Sequence, residues 1–259
     1  MRRWVARTGA LALELLELSR GIAHVGWRTL YFTFRGRPER GRTLQYMFTI
    51  GNQSLVFLVV VMGFIGMIVV YQAGLQLARV VPDMTQLGAT FLELLIKDTA
   101  ASICGLMLAT RVGAGIAAEV GSMRVTEQID ALRMSAADPI DYLIRPRFVA
   151  SLIMTAALVV IAGAVAALSG MWTAQIFFRV SAQTFFDFRQ VDLGDVLVGL
   201  SKCFAYGAAI PIISGYCGLK AFGGSEGVGR ATTHAVVYCS LAIVMLNFLL
   251  SSLGYLAFE

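Results

Sequence analysis

The sequence has few of the residues on which soluble enzymes depend. Charged residues make up 14% of its 259 residues, and there are two histidines, His24 and His234, whereas about a quarter of an average soluble domain is charged. Two histidines exclude a histidine-based metal centre and do not yield a convincing Ser-His-Asp arrangement. The four cysteines lie scattered in apolar segments without CxxC spacing, so we expect buried free thiols.

Phosphate-binding signatures are missing as well. The glycine-rich stretches GYCGLK and GGSEGVGR lack the lysine or the spacing of GxxxxGK[ST], and GAGIAA does not match GxGxxG. We therefore expect no catalytic residue, no metal and no cofactor in this chain. The net charge of +5 is not accompanied by a basic, aromatic-rich platform, so we expect no nucleic-acid partner.

What the chain does have is long apolar runs, with 58% apolar residues and a mean hydropathy of +0.74. Leu55–Tyr71, Phe148–Phe178 and Ala231–Phe258 contain no Asp, Glu, Lys or Arg, and Leu87–Thr110 and Val196–Leu219 contain few. About 20 apolar residues cross a bilayer. The sequence therefore predicts an all-α membrane protein with five transmembrane helices.

The basic residues predict the orientation. Segments 1–42, 111–147 and 220–230 hold sixteen of the 21 Lys and Arg residues, whereas the opposite loops hold only Arg79, Arg179 and Arg189. Because positive loops stay in the cytoplasm, we expect a cytoplasmic N-terminus and a C-terminus on the other side.

The N-terminal segment differs from the five spans. In Ala10–Leu30, apolar residues recur at helical spacing between charged ones. We predict an amphipathic helix in the inner membrane interface, with Trp27 and Tyr31 at headgroup depth; the alternative is a helix packed on soluble protein. The prediction is a single domain, 1–259, with this helix and a linker in 1–45 and the five-span bundle in 46–259.

A charge-balanced segment, Arg111–Arg147, interrupts the apolar spans with five arginines and five acids. Glycines are expected to loosen its start, at Gly113, Gly115 and Gly121. One predicted helical face is apolar and consists of Val125, Ile129, Leu132 and Ala136. The opposite face consists of Arg124, Glu127, Gln128 and Ala131. We expect the first face to lie on the bundle and the second to face solvent or a partner protein.

Several polar residues fall inside the predicted spans, namely Glu93, Lys97, Asp98, Lys202 and Asn247. An ionised group in hydrocarbon costs at least about 2.5–3.5 kcal/mol, so such groups pair with one another or face a wet cavity. Glu93 and Lys97 are four residues apart and share a helical face. These residues either form structural interhelical pairs or meet a polar substrate group.

The run RVGAGIAAEVGSMRVTEQIDALRMSAADPIDYLIRPR, the later GVGRATTHAVV and the first-span GFIGMIVVYQ resemble the signature stretches of MlaE-type permeases. These are membrane subunits of ABC transporters that move phospholipids between the membranes of Gram-negative bacteria. The resemblance implies a homodimer in the inner membrane with a periplasmic C-terminus. Its partners would be cytoplasmic ATPase subunits that bind ATP and Mg, a periplasmic ring of MCE-domain subunits and sometimes a small STAS-domain protein.

The resemblance also assigns roles to residues. Glu119 to Arg133 would be the coupling helix that contacts the ATPase, through Glu119, Arg124, Glu127, Gln128, Asp130 and Arg133. The phospholipid pocket at the dimer interface would include Val69, Tyr71, Leu77, Lys97 and Asp98. Relatives often carry aspartate where this chain has Asn247, which implies a weaker pairing of Lys202 with a carboxylate.

Two other functional classes remain open. An ion-coupled secondary transporter would use Glu93, Lys97, Asp98 and Lys202, although five spans without an inverted repeat do not favour it. A membrane-embedded lipid-modifying enzyme would need a cluster of acids or histidines, and the acids of the central segment have no metal-binding spacing.

Overall fold

A computed structural model describes residues 2–36, 40–80 and 84–258, and the regular structure in these ranges is helical. The first two helices are α1 (Arg2–Arg35) and α2 (Arg40–Val80). They are followed by α3 (Gln86–Leu94), α4 (Ala100–Leu108) and α5 (Ala114–Val125), which π-helical turns at Leu95–Thr99 and Ala109–Gly113 join into one rod. The remaining helices are α6 (Gln128–Met134), α7 (Arg145–Phe178), α8 (Ala182–Phe185), α9 (Leu193–Leu219) and α10 (Gly224–Phe258).

Five helical stretches are long and apolar enough to cross a bilayer, as the sequence predicts. They are Arg40–Arg79, Gln86–Val125, Ile140–Phe178, Leu193–Leu219 and Gly224–Ala257. The predicted ends at Phe178 and Leu219 coincide with the ends of α7 and α9. The other helices extend beyond the apolar runs because polar residues near a membrane surface continue a helix that hydrophobicity alone does not detect.

Helix α2 shows this extension most clearly. Its 41 residues correspond to about 60 Å, roughly twice the hydrocarbon thickness of a bilayer. Since α2 begins at Arg40, the predicted boundary between linker and bundle at residue 45 falls inside a helix. Residues 37–39 of the predicted linker lie outside the described residues.

The bundle is built by α2 on α7, α7 on α9, and α9 on α10, with α5 packed against both α9 and α10. Small residues allow the closest approaches, as they do between transmembrane helices in general. A Cβ atom at Gly66 of α2 would collide with the Ala166 carbonyl oxygen of α7, and one at Gly199 of α9 would collide with the Ile96 carbonyl oxygen.

Helix α1 packs against α9 and the π-helical turn at Ile140–Ile144. Val25 and Thr29 are buried in this contact, while Trp27 is 75% exposed and Phe34 is 86% exposed. The helix therefore has one face on the bundle and a second apolar face that the described residues leave uncovered.

The prediction that glycines loosen the start of the central segment is wrong, because the chain is helical from Gln86 to Val125. A Cβ atom added at Gly113 would lie 3.1 Å from Ser214 Oγ, and one added at Gly121 would lie 3.3 Å from the Ala221 Cβ. These glycines allow α5 and the neighbouring helices to pack closely and do not break the helix.

Candidate functional site

A buried ion pair joins the second and fourth spans. Lys202 of α9 is 0% exposed, and its ammonium nitrogen lies 2.5 Å from Asp98 Oδ1 and 3.1 Å from the Lys97 carbonyl oxygen. Asp98 lies in the first π-helical turn, and such turns insert one residue and redirect the side chains around them. Lys97, which lies in the same turn as Asp98, can therefore face a different partner.

That partner is Asp195, near the start of α9. Lys97 Nζ lies 3.1 Å from Asp195 Oδ1, and Asp195 Oδ2 accepts a hydrogen bond of 3.1 Å from the backbone N–H of Asp192. The sequence analysis places Glu93 on the same helical face as Lys97, and it does not single out Asp195. The DLGD run before an apolar stretch has the spacing of a helix cap and is the signal that could have located this carboxylate.

The prediction that Asn247 weakens the pairing of Lys202 is wrong. Asn247 Oδ1 accepts a hydrogen bond of 3.1 Å from the Tyr206 hydroxyl, while the carboxylate bound to Lys202 is Asp98. Asp98 also accepts a hydrogen bond of 3.1 Å from Ser102 Oγ, and its side chain is 43% exposed. Four of the five polar residues predicted inside the spans thus take part in interhelical contacts; the fifth, Glu93, is half-buried on α3.

An apolar cavity of about 480 Å³ lies beside these ion pairs, between α4, α7 and α9. Its lining consists of apolar side chains and glycines, among them Leu92, Ile96, Val159, Gly163, Ala164, Phe186 and Cys203. Ile96 and Cys203 are the sequence neighbours of Lys97 and Lys202. Charged groups and an apolar space therefore occupy adjacent faces of the same helices.

The residues predicted for the lipid pocket are not gathered around this cavity. Tyr71 is 40% exposed on α2, with its ring centroid 5.1 Å from that of Phe177. Val69 and Leu77 are half-buried against the core of the described residues. Lys97 and Asp98 do not line this cavity either, and the pocket that the resemblance implies between two copies of the chain stays a prediction.

At the other end of the bundle, the predicted coupling helix is not one helix. Helix α5 ends at Val125, and α6 begins at Gln128 after Glu127, whose φ of 61° is left-handed. Arg124 bridges the break through hydrogen bonds of 2.6 and 2.8 Å to the Asp130 carboxylate, and Arg133 Nη1 lies 3.4 Å from the same group. The result is a bent unit held by charged side chains.

The two predicted faces of this unit are partly confirmed. Ile129 is fully buried and Leu132 half-buried, whereas Glu127 and Gln128 are exposed. Ala136, predicted on the buried face, is exposed in a left-handed turn with φ of 59°, because α6 ends at Met134. Met134 itself is 85% exposed.

Ion pairs attach the central segment to the bundle. Asp138 pairs with Arg28 of α1, whereas Asp141 and Arg145 form a local pair, four residues apart, within the segment. Glu119 pairs with Arg147 of α7 at 2.8 Å. Glu119 therefore joins the second span to the third, a contact within the chain that its predicted role did not include.

Comparison with known proteins agrees with this architecture. Residues 43–253 match the family model of the MlaE permease. A probable ABC transporter permease protein of Synechocystis is 36% identical over 85% of this chain and 84% of its own length. The intermembrane phospholipid transport system permease protein MlaE of Haemophilus influenzae is 29% identical over 95% of this chain and 96% of its own length. The chloroplastic protein TRIGALACTOSYLDIACYLGLYCEROL 1 of Arabidopsis thaliana is 31% identical over 84% of this chain and 63% of its own length.

A match over most of the chain, together with five apolar helices of spanning length, leads to one conclusion: the chain is a multi-pass membrane protein and belongs to the MlaE family of ABC transporter permeases.

Proposed function

We propose that this permease moves phospholipids between two membranes, with ATP hydrolysis supplied by a separate partner subunit. The observation that carries the proposal is that charged side chains within the spans lie next to an apolar cavity. A phospholipid has a charged headgroup and apolar acyl chains, and the helices around Asp98 offer a partly exposed carboxylate beside 480 Å³ of apolar space. The Haemophilus influenzae relative, an intermembrane phospholipid transport system permease, supports the same substrate class.

The bent unit formed by α5 and α6 is the proposed contact for the ATPase. It exposes Glu127, Gln128 and the apolar Met134 together, a mixture that suits a protein partner better than water alone. A movement of this unit would be transmitted through α5 to α9 and α10, against which α5 packs. It would reach α7 through the ion pair between Glu119 and Arg147.

In this proposal the end that carries Glu119 faces the cytoplasm and the end that carries Asp98 faces the periplasm, in a bacterial inner membrane. The excess of Lys and Arg in segments 1–42 and 111–147 supports that orientation. Helix α1 then lies at the inner interface, and its uncovered apolar face, with Trp27 and Phe34, meets the bilayer.

We also propose that the permease works as a homodimer with a periplasmic MCE-domain ring and, in some assemblies, a STAS-domain protein. Large apolar side chains are exposed along α10, including Val244, Met245 and Phe248, and lipid or a second copy would cover them. Val69, Tyr71 and Leu77 of α2 are proposed to contact acyl chains once two copies assemble.

The test is purification of the chain together with a candidate ABC ATPase subunit, followed by mass spectrometry of bound lipid. We expect diacyl phospholipid in the wild type and much less in Ala164→Trp, because the indole would fill the apolar cavity. Ala164→Ser is the matched control and should retain lipid. A complex that carries no phospholipid, or an ion gradient that drives transport without ATP, would refute the proposal.

A further inference from the structure

A second cavity, which is polar and has a volume of about 280 Å³, lies at the opposite end of the bundle from Asp98. It is formed between α2, α5 and the start of α7. One water molecule needs roughly 10–15 Å³ of such space, so a polyatomic group fits. Its polar lining includes Tyr46, Gln53, Ser54, Arg111, Glu119 and Arg147.

Arg147 is a buried cation in this cavity whose hydrogen-bond donors are not all satisfied by the described residues. It is 1% exposed, donates from Nη1 to the Leu143 carbonyl oxygen at 2.7 Å, and lies 4.5 Å from the Tyr46 ring centroid. Its Nη2 is 2.8 Å from Glu119, yet neither Nε nor Nη2 makes a hydrogen bond of acceptable geometry within the described part of the chain. Buried donors nearly always have an acceptor; Nη2 has the Glu119 carboxylate close to it, and Nε points to an acceptor outside the part of the chain that the structure describes.

Arg111 brings a second guanidinium to the same cavity. It lies in the second π-helical turn, is half-buried, and donates to Ser54 Oγ at 3.1 Å. Two guanidinium groups and the Glu119 carboxylate leave the cavity one positive charge in excess. A phosphodiester carries one negative charge and several acceptor oxygens, which is the complement that paired guanidinium groups bind well.

The rim of the cavity is polar where a membrane helix is normally apolar. Thr49 and Gln53 lie one helical turn apart on α2, line the cavity and are exposed, and Gly115 of α5 is an exposed lining residue as well. Polar groups on this face allow a headgroup to reach the two arginines from the side of the bundle.

We propose that this cavity binds the phosphate group of a phospholipid, with Arg111 and Arg147 donating to its oxygens. The inference rests on the proposed function and adds a second headgroup position to it. Arg111 follows Asp98 by 13 residues in the same helical rod, a separation of about 20 Å. A lipid would thus be held by its phosphate in one half of the membrane before or after it meets the charges around Asp98 in the other.

The test uses the full chain in nanodiscs of phosphatidylethanolamine and phosphatidylglycerol, with a photo-crosslinking amino acid at Thr49 and, separately, at Tyr71. Radiolabelled phosphatidylglycerol is compared with radiolabelled diacylglycerol, which has the same acyl chains and no phosphate. At Thr49 we expect phosphatidylglycerol to crosslink roughly tenfold more than diacylglycerol, and Arg111→Gln to abolish that preference, because each lost charge-assisted hydrogen bond changes occupancy by about that factor. Arg189→Gln, which removes a 90% exposed arginine, should leave the preference unchanged.

Equal labelling by the two lipids at Thr49, or a preference that survives in Arg111→Gln, overturns the headgroup site. Labelling at Tyr71 but not at Thr49 also overturns it and leaves the proposed function standing, whereas no labelling at either position contradicts both. Competition by millimolar inorganic phosphate at Thr49 would assign the cavity to a soluble phosphate anion and overturn the lipid assignment. We expect no such competition, because free phosphate has no acyl chains to retain it in the bilayer.

Discussion

Lys202 and Asp98 are 104 residues apart in the chain and 2.5 Å apart in the bundle. Their ion pair holds α9 against the π-helical turn of the second span, in a region where a lone charge would be costly.

Loss of one partner should therefore destabilise the bundle. Lys202→Met leaves the Asp98 carboxylate without its cation, and removing one member of a buried pair costs about 3–5 kcal/mol. Since Asp98 is 43% exposed, we expect the lower end of that range, measured by unfolding in detergent. The double variant Lys202→Met with Asp98→Asn should recover part of the loss. Equal losses in the single and double variants would mean that the two residues do not interact energetically.

Asn247 should act through its hydrogen bond with Tyr206. Asn247→Gln keeps a neutral amide acceptor for the Tyr206 hydroxyl, so we expect the smaller loss of stability. Asn247→Leu removes the acceptor from a fully buried hydroxyl and should cost about 1–3 kcal/mol. The same unfolding measurement on both variants separates the hydrogen bond from the shape of the side chain. A smaller loss in the leucine variant than in the glutamine variant would contradict this assignment.

Two glycines on α2 provide a matched pair. Gly66→Ala would place a methyl group against the Ala166 carbonyl oxygen, so α2 and α7 must separate, at a cost of about 1–3 kcal/mol. Gly63→Ala meets only Val165 Cγ1 at 3.6 Å and should be tolerated, with a small gain from helix propensity. Thermal unfolding of the two variants tests this contact, and similar melting temperatures for both would count against it.

Charge reversal on the bent unit should separate the permease from its ATPase. Glu127→Lys combined with Asp130→Lys changes the exposed face and also removes the acceptor of Arg124, so we expect co-purification to fall at least tenfold while the monomer still folds. Glu226→Lys, at an 82% exposed side chain in the first turn of α10, serves as the control. Unchanged recovery of the complex from the double variant would exclude this surface as the docking site.

Substitutions at Glu127 test the backbone geometry of the bent unit separately from its charge. Its left-handed φ of 61° is unfavourable for most side chains and free of strain for glycine. Glu127→Gly should therefore preserve or raise stability, whereas Glu127→Val should lower it by roughly 1–2 kcal/mol. Unfolding of the isolated permease measures both effects. Equal stability of the two variants would show that the turn tolerates any side chain.

The sequence by itself determined the five spans, the all-helical class and the family, because apolar runs of spanning length and the charged run around Arg124 to Arg133 are properties of local composition. It also located Ile129 and Leu132 on the inner face of α6 from their spacing. These features depend on residues close together in the chain.

Only the tertiary structure decided which charges meet. Lys97 turns to Asp195, Lys202 to Asp98 and Glu119 to Arg147, and each pair joins different spans. A π-helical turn changes the direction in which every following side chain points. The break at Glu127 divides a segment whose apolar spacing predicts a single helix. The partners were set by how the helices pack, since a charge buried in a membrane takes the nearest opposite charge in space.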